Sequence, residues 1–323
     1  MLDAFGRNID YMRISVTDKC NLRCRYCMPS DIELCSMSEL LSFEEIRTVV
    51  REAAALGINR IKLTGGEPLV RRGIENLVAM LAGVEGIRSL TLTTNGILLE
   101  EKLEALKQAG LTAVNISLDT LDPERFEQLT GRRMLDRVLA GIETAAGSTL
   151  PVKLNTVLRA SVTDQELLEL MAYAQERSLK IRFIEMMPIG AGKEAMGRSG
   201  EELLGLLCAY YGSYVKEADG RSYGNGPAVY YRFEKGAVPV GIISAVHGKF
   251  CGSCNRIRMS ANGQLKSCLC YEAVSDIRGP LRRGSSEEVR ELLQKTVYGK
   301  PKEHCFDRLL QITEKGKMVS IGG

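Results

Sequence analysis

Six short runs rich in apolar and β-branched residues, at 11–16, 60–63, 89–93, 113–118, 152–158 and 180–184, are each followed by a stretch of helical periodicity. Strand and helix in alternation imply parallel strands, because each helical crossover returns the chain to the same end of the sheet. The helices carry their own start signals. Ser42-Phe43-Glu44-Glu45 and Thr163-Asp164-Gln165-Glu166 read as capping boxes, in which a hydroxyl and a carboxylate three residues on satisfy each other's free backbone N–H groups. Gly57 and Gly110 follow helical segments as C-terminal caps. Six such units predict an open, partial barrel related to the eight-stranded (β/α) barrel, with its chemistry at the C-terminal ends of the strands.

The first of those ends carries chemistry at once. Cys20, Cys24 and Cys27 stand in CNLRCRYCMP, directly after the first strand, with three and then two residues between them. Thiolates packed this tightly can hold three irons of a cubane iron–sulfur cluster, whose full protein complement is four cysteines, and so leave one iron open to another ligand. Zinc would want a fourth Cys or His nearby, and Cys35 lies beyond Pro29 without paired spacing. Ten cysteines with no apolar h-region in residues 1–10 argue for metal or redox chemistry in a reducing, cytoplasmic setting. No apolar run approaches the roughly 20 residues that span a bilayer. A net charge of +3 is too mild to argue for nucleic acid or a membrane surface as partner.

Further along, Thr64-Gly65-Gly66-Glu67-Pro68 follows the second strand, where paired glycines allow close backbone approach and a carboxylate can accept from an amino group. Ser117 places a hydroxyl at the end of the fourth strand. The segment 190–200 is glycine-rich and reads as a mobile loop, and from about residue 220 two further strands, 228–233 and 238–246, and an Asn262-Gly263 hairpin turn mark a smaller region. It carries a second triad, Cys251, Cys254 and Cys268, with two and then thirteen intervening residues. Zinc stays open there on spacing alone. Cys35, Cys208, Cys270 and Cys305 read as ordinary buried thiols.

At the first triad the chain resembles the radical S-adenosylmethionine (SAM) superfamily. The combination of SVTDKCNLRCRYCMP, GGEPLVRRG, FCGSCNRIRMSANGQLKSCL and the final Ile321-Gly322-Gly323 is similar to one family within it, the GTP 3′,8-cyclases that begin molybdenum-cofactor biosynthesis. The resemblance runs nearly end to end. It implies a partial (β/α)6 radical SAM barrel over 1–220 and a C-terminal α+β region over 221–323, with a [4Fe-4S] cluster on each triad and SAM on the open iron of the first. It assigns SAM contacts to Tyr26, Gly66, Ser117 and Met187, and GTP contacts to Arg13, Lys62, Thr93, Lys153, Arg182, Arg256 and Arg258. Arg13, Lys153 and the terminal Gly322 and Gly323 would serve catalysis. Lys62 stands where the family often has Arg, which keeps the charge and loses bidentate geometry. The implied partners are an external one-electron donor, a second copy of the chain in a homodimer, and a pyranopterin monophosphate synthase that takes the product. Two other classes fit parts of the pattern: a twin-cluster enzyme that matures peptides or sulfatases, and a two-cluster electron carrier, which would need no SAM pocket.

Overall fold

A computed structural model describes residues 1–28, 34–190, 192, 197–218, 223–272, 275–316 and 318–321. The six expected strands form as β1 (Tyr11–Ser15), β2 (Arg60–Thr64), β3 (Ser89–Thr94), β4 (Ala113–Ser117), β5 (Val152–Leu158) and β6 (Lys180–Glu185). Helices α1 (Phe43–Ala55), α2 (Ile74–Ala82), α3 (Leu99–Gln108), α4 (Pro123–Thr130), α5 (Leu135–Ala146) and α6 (Asp164–Glu176) connect them. Both capping boxes form, Ser42 with Glu45 and Thr163 with Glu166, so α1 and α6 start where the sequence places them. Gly57 and Gly110 adopt positive φ just past α1 and α3.

After α7 (Gly200–Tyr211) come β7 (Tyr214–Lys216), β8 (Val229–Phe233), β9 (Val240–Ile243), β10 (Arg256–Met259), β11 (Gln264–Lys266) and β12 (Ser275–Asp276), then α8 (Arg278–Arg282), α9 (Ser286–Tyr298) and α10 (Met318–Ile321). All twelve strands share one sheet, in the order β12-β11-β10-β1-β2-β3-β4-β5-β6-β9-β8-β7. The strands after residue 220 therefore extend both edges of the βα array. β10 pairs parallel with β1 and β9 parallel with β6, while the outer strands turn antiparallel. The β10–β11 hairpin turns at Gly263, whose φ of 87° needs a glycine.

Side chains alternate with the pleat. Ile14, Ile61, Leu63, Leu92, Val114, Leu154, Phe183 and Ile257 point outward into the apolar core beneath the helices. Their neighbours Arg13, Lys62, Thr93, Asn115, Lys153, Arg182 and Arg258 line a cavity of about 560 Å³ on the inner face. Parallel sheets normally bury apolar residues on both faces. A polar inner face around a cavity large enough for small molecules marks this one as a binding chamber.

Candidate active site

Topology places the two thiol triads at opposite ends of the chamber. The loop with Cys20, Cys24 and Cys27 follows β1 and so lies at the C-terminal ends of the parallel strands, here the upper end. Cys254 lies two residues before β10, which runs parallel to β1 with Arg256 level with Tyr11, and Cys268 follows the antiparallel β11. The second triad therefore sits at the N-terminal, lower end. This corrects the expectation that all the chemistry gathers at the strand C-termini: β10 is an added parallel strand approached from the opposite side. All six cysteines line the same cavity.

The two ends differ electrostatically. Burial raises the thiol of Cys20 to about 11 and that of Cys27 to about 12, with Glu67 adding to the rise at Cys20 and Asp119 at Cys27. Burial and the neighbouring Cys27 and Asp119 raise Cys24 as well. At the lower end burial again opposes ionisation of Cys254, but Arg256 and Lys300 outweigh it and bring the thiol down to about 7. Acidic surroundings suit a cationic ligand at the upper end, and the lower end is ready for an anion.

The donor sets fit iron–sulfur clusters. Among the described residues no three His, Cys, Asp or Glu side chains converge as one metal ion requires. A cubane needs its ligands further apart, since each thiolate binds a different iron. N–H groups already face the sulfurs. Leu22 N lies 3.4 Å and Asn95 Nδ2 3.9 Å from Cys20 Sγ, and His304 N donates to Cys251 Sγ at 3.3 Å. His304 is buried in the cavity wall, accepts from Phe306 N at Nδ1, and has no partner for its Nε2 among the described residues. A buried donor in that state calls for an acceptor in the chamber.

Backbone ties hold the lower triad. Lys300 Nζ donates to the carbonyls of Arg256 (3.0 Å) and Ser267 (2.6 Å), bridging the residues beside Cys254 and Cys268. Arg7, paired with Asp3 at 2.6 Å, donates to the Cys251 carbonyl at 2.9 Å. Cys270 and Cys305 are fully buried as expected and touch each other, Sγ to Sγ 2.9 Å, beside Leu269 and Phe306. Cys35 and Cys208, by contrast, are only half-buried.

At the upper end Tyr26 donates to Asp119 Oδ2 at 2.7 Å, and Asp119 Oδ1 accepts from Val157 N, which ties the cysteine loop to β4 and β5. Gly66, Ser117 and Met187 line the cavity around this end. The paired glycines serve packing as well. A Cβ on Gly65 would lie 2.3 Å from Thr17 O, and one on Gly66 2.4 Å from Lys19 O, so the turn is glycine where the cysteine loop crosses it. Glu67, whose carboxylate can accept from an amino group, accepts within the chain from Leu69 N, Thr94 Oγ1 and Asn95 N. Burial raises its pKa to about 7 against those three bonds. It is a strut between the β2 turn and the end of β3. Glu185 braces β6 in the same way, accepting from Gly200 N, Val246 N and His247 N.

The cations gather toward the lower half. Arg13 is level with Lys62 on one side and Arg258 on the other, while Lys153 and Arg182 project from the first half of β5 and β6. Burial, compounded by neighbouring cations, lowers Lys62 and Arg258 well below their usual values and Lys153 to about 8. Arg182 is held by Asn155 Oδ1 at 3.0 Å. Thr93 lines the same wall, with Asn115 Nδ2 3.4 Å from its hydroxyl. An anion in the chamber would relieve this crowding of cations. Every expected site residue thus lines one chamber except Gly322 and Gly323, which lie outside the described residues, as does part of the glycine-rich 190–200 segment. Asp119, Glu185, Lys300 and His304 escaped the sequence reading, because lone polar residues on loops carry no spacing signal.

Fold and site together define a radical SAM enzyme with a second cluster site. The Radical SAM superfamily matches residues 14–174 and the Molybdenum Cofactor Synthesis C family residues 179–306. Along their whole lengths the chain and the GTP 3′,8-cyclase of Clostridium perfringens (strain 13 / Type A) are 42% identical, and that of Moorella thermoacetica is 44% identical over 329 residues, all of both chains. The chain belongs to the GTP 3′,8-cyclase family. Two solved structures share the fold at low identity. Native anSMEcpe with bound AdoMet and the Kp18Cys peptide is 15% identical, with a TM-score of 0.59 over 97% of this chain and 92% of that one. Streptococcus suis SuiB bound to S-adenosylmethionine is 16% identical, with a TM-score of 0.62 over 81% of this chain and 61% of that one.

Proposed function

We propose that this chain converts GTP to (8S)-3′,8-cyclo-7,8-dihydroguanosine 5′-triphosphate, the first step of molybdenum-cofactor biosynthesis. The observation that carries it is the single chamber with a thiol triad at each end, acidic above and cationic below. A triphosphate brings an anion to the crowded cations, and the guanidinium groups offer it paired donors. When bound, the upper [4Fe-4S] cluster and SAM supply a one-electron reductive cleavage whose radical removes a hydrogen atom. The chain's own residues fix the geometry: Asp119 holds Tyr26 and the upper loop, Lys300 and Arg7 hold the lower triad, and the cations fix the phosphates between them. Tyr26, Gly66, Ser117 and Met187 are the SAM contacts in this reading. Arg13, Lys62, Thr93, Lys153, Arg182, Arg256 and Arg258 are the GTP contacts, and Gly322 and Gly323 complete the site. Family likeness supports an external one-electron donor, hand-over to a pyranopterin monophosphate synthase, a homodimer and a cytoplasmic setting. Among the described residues no helix is long and apolar enough to cross a membrane.

Anaerobic protein with both clusters loaded should release 5′-deoxyadenosine only when SAM, a reductant and GTP are all present. Release without GTP, or a nucleotide product other than the cyclised triphosphate by mass and NMR, would overturn the assignment.

GTP affinity should also fall at alkaline pH. In the free enzyme burial, Arg182 and Lys180 depress Lys153 from 10.5 to about 8, and a bound phosphate favours its charged form. GTP affinity is then flat below pH 8 and falls by up to about tenfold per pH unit above it. The sign for stability is opposite. The depressed cation costs stability below pH 8, and that cost is relieved as pH rises from 8 toward 10.5. Calorimetric titrations at pH 7 to 9.5 check this, and Lys153→Met should flatten the profile.

A further inference from the structure

The lower mouth of the chamber is crossed by a short turn that the family motifs do not touch. Residues 223–227 lead into β8 and run beneath the inner face. Asn225 Nδ2 donates to the hydroxyl of Ser89 at 3.2 Å, and Ser89 is the first residue of β3, so the turn reaches across the barrel from the β8 side. Its other anchor is aromatic. The Tyr223 ring packs at a tilt against Tyr230 with centroids 4.6 Å apart, and Lys180 Nζ sits 5.3 Å from the Tyr223 centroid.

Between those anchors the backbone meets the cations. A Cβ on Gly224 would lie 3.5 Å from Lys153 Nζ, and one on Gly226 3.8 Å from Arg182 Nη1. Gly224 also has a φ of 131°, where a side chain is strained. Among the described residues no backbone carbonyl accepts from the N–H of Gly224 or Gly226. Backbone N–H groups of a glycine turn beside two cations are the kind of surroundings that bind a phosphate oxygen. The turn also lines the chamber, beside Lys153 and Arg182.

We propose that residues 223–226 seat the terminal phosphate of the nucleotide, so that this turn sets the preference for a triphosphate over the di- and monophosphate. Asn225 is a positioning residue in this scheme: it holds the turn against β3 and leaves the glycine backbone to face the phosphate. The inference rests on the cyclase reading and adds to it a determinant of phosphate number.

The test is the affinity of cluster-loaded protein for GTP, GDP and GMP, measured by calorimetry without SAM, for wild type, Asn225→Ala, Ser89→Ala and the double variant. Wild type should bind GTP most tightly. Each single variant should lose about tenfold in GTP affinity, the worth of one hydrogen bond to a charged group, with GMP unchanged. The double variant should lose no more than either single one, because both cut the same tie. Gly224→Ala should also weaken GTP selectively, with the Asn225–Ser89 bond intact. Iron content and circular dichroism confirm that each variant is folded. A GTP-to-GMP affinity ratio within twofold of wild type in all variants overturns the proposal, as does an equal loss for all three nucleotides. Failure of the wild type to bind any guanine nucleotide would instead overturn the cyclase reading on which this rests.

Discussion

Cys254→Ser is expected to purify with about four iron atoms per chain where the wild type holds about eight, and to lose GTP-dependent SAM cleavage by roughly 10³-fold or more. Cys254 precedes β10, and Arg256 and Lys300 draw its thiol toward ionisation despite burial, so it is poised to bind iron as a thiolate. A serine hydroxyl in its place is a far poorer iron ligand. The upper triad is built on a separate loop, tied to β4 and β5 through Tyr26 and Asp119, and should keep its cluster. SAM binding by the variant should therefore match wild type while GTP binding collapses. Iron and sulfide analysis with parallel SAM and GTP titrations separates these effects. A variant that keeps both its full iron content and its GTP affinity would remove the second triad from the site.

Structural likeness alone would not have reached this function. SuiB and anSMEcpe share the curled sheet at 15–16% identity, and solved forms of both hold peptides. What separates this chain is the lining of its inner face. An electron carrier would need neither the chamber nor the cations. A peptide-modifying enzyme has no evident use for Arg13, Lys62, Lys153, Arg182 and Arg258 crowded against one another.

The six strands, both capping boxes and the two triads were legible because each rests on a short-range rule: a short apolar, β-branched run, a hydroxyl and carboxylate three residues apart, a cysteine spacing. The end of the barrel occupied by the second triad was not legible. That depends on β10 pairing parallel with β1, about 245 residues away in sequence, as the Arg13–Arg258 register records. The bracing role of Glu67 was hidden for a related reason. Its neighbours in sequence suggest a ligand partner, but Thr94 and Asn95 fold back to take both oxygens. The 223–227 turn carries no motif, and its meaning appears only when Gly224 and Gly226 come against Lys153 and Arg182.

The crowding of the cations predicts that one substitution will move stability and function in opposite directions. Lys62 stands level with Arg13, and its ammonium is depressed first by withdrawal from water and then by Arg182, Arg13, Lys153 and Arg256. No ion pair with a carboxylate offsets this among the described residues. Lys62→Met keeps the side-chain volume and deletes the charge. Replacing a buried charge by a packed apolar group is worth about 1–4 kcal/mol, and because Lys62 keeps some solvent contact on the cavity wall the lower end, about 1–2 kcal/mol, is expected. That raises Tm of the nucleotide-free protein by about 1–3 °C. The same change deletes a phosphate partner and should weaken GTP roughly 10²-fold. At GTP equal to a hundred times the wild-type Kd, ligand stabilisation is about 2.7 kcal/mol for the wild type and about 0.4 kcal/mol for the variant. Thermal melts with and without GTP should therefore cross over, the variant melting higher alone and the wild type higher with nucleotide. A variant that melts lower alone yet still gains the full GTP shift would mean that Lys62 is a structural cation with its own partner, and that the triphosphate lies elsewhere.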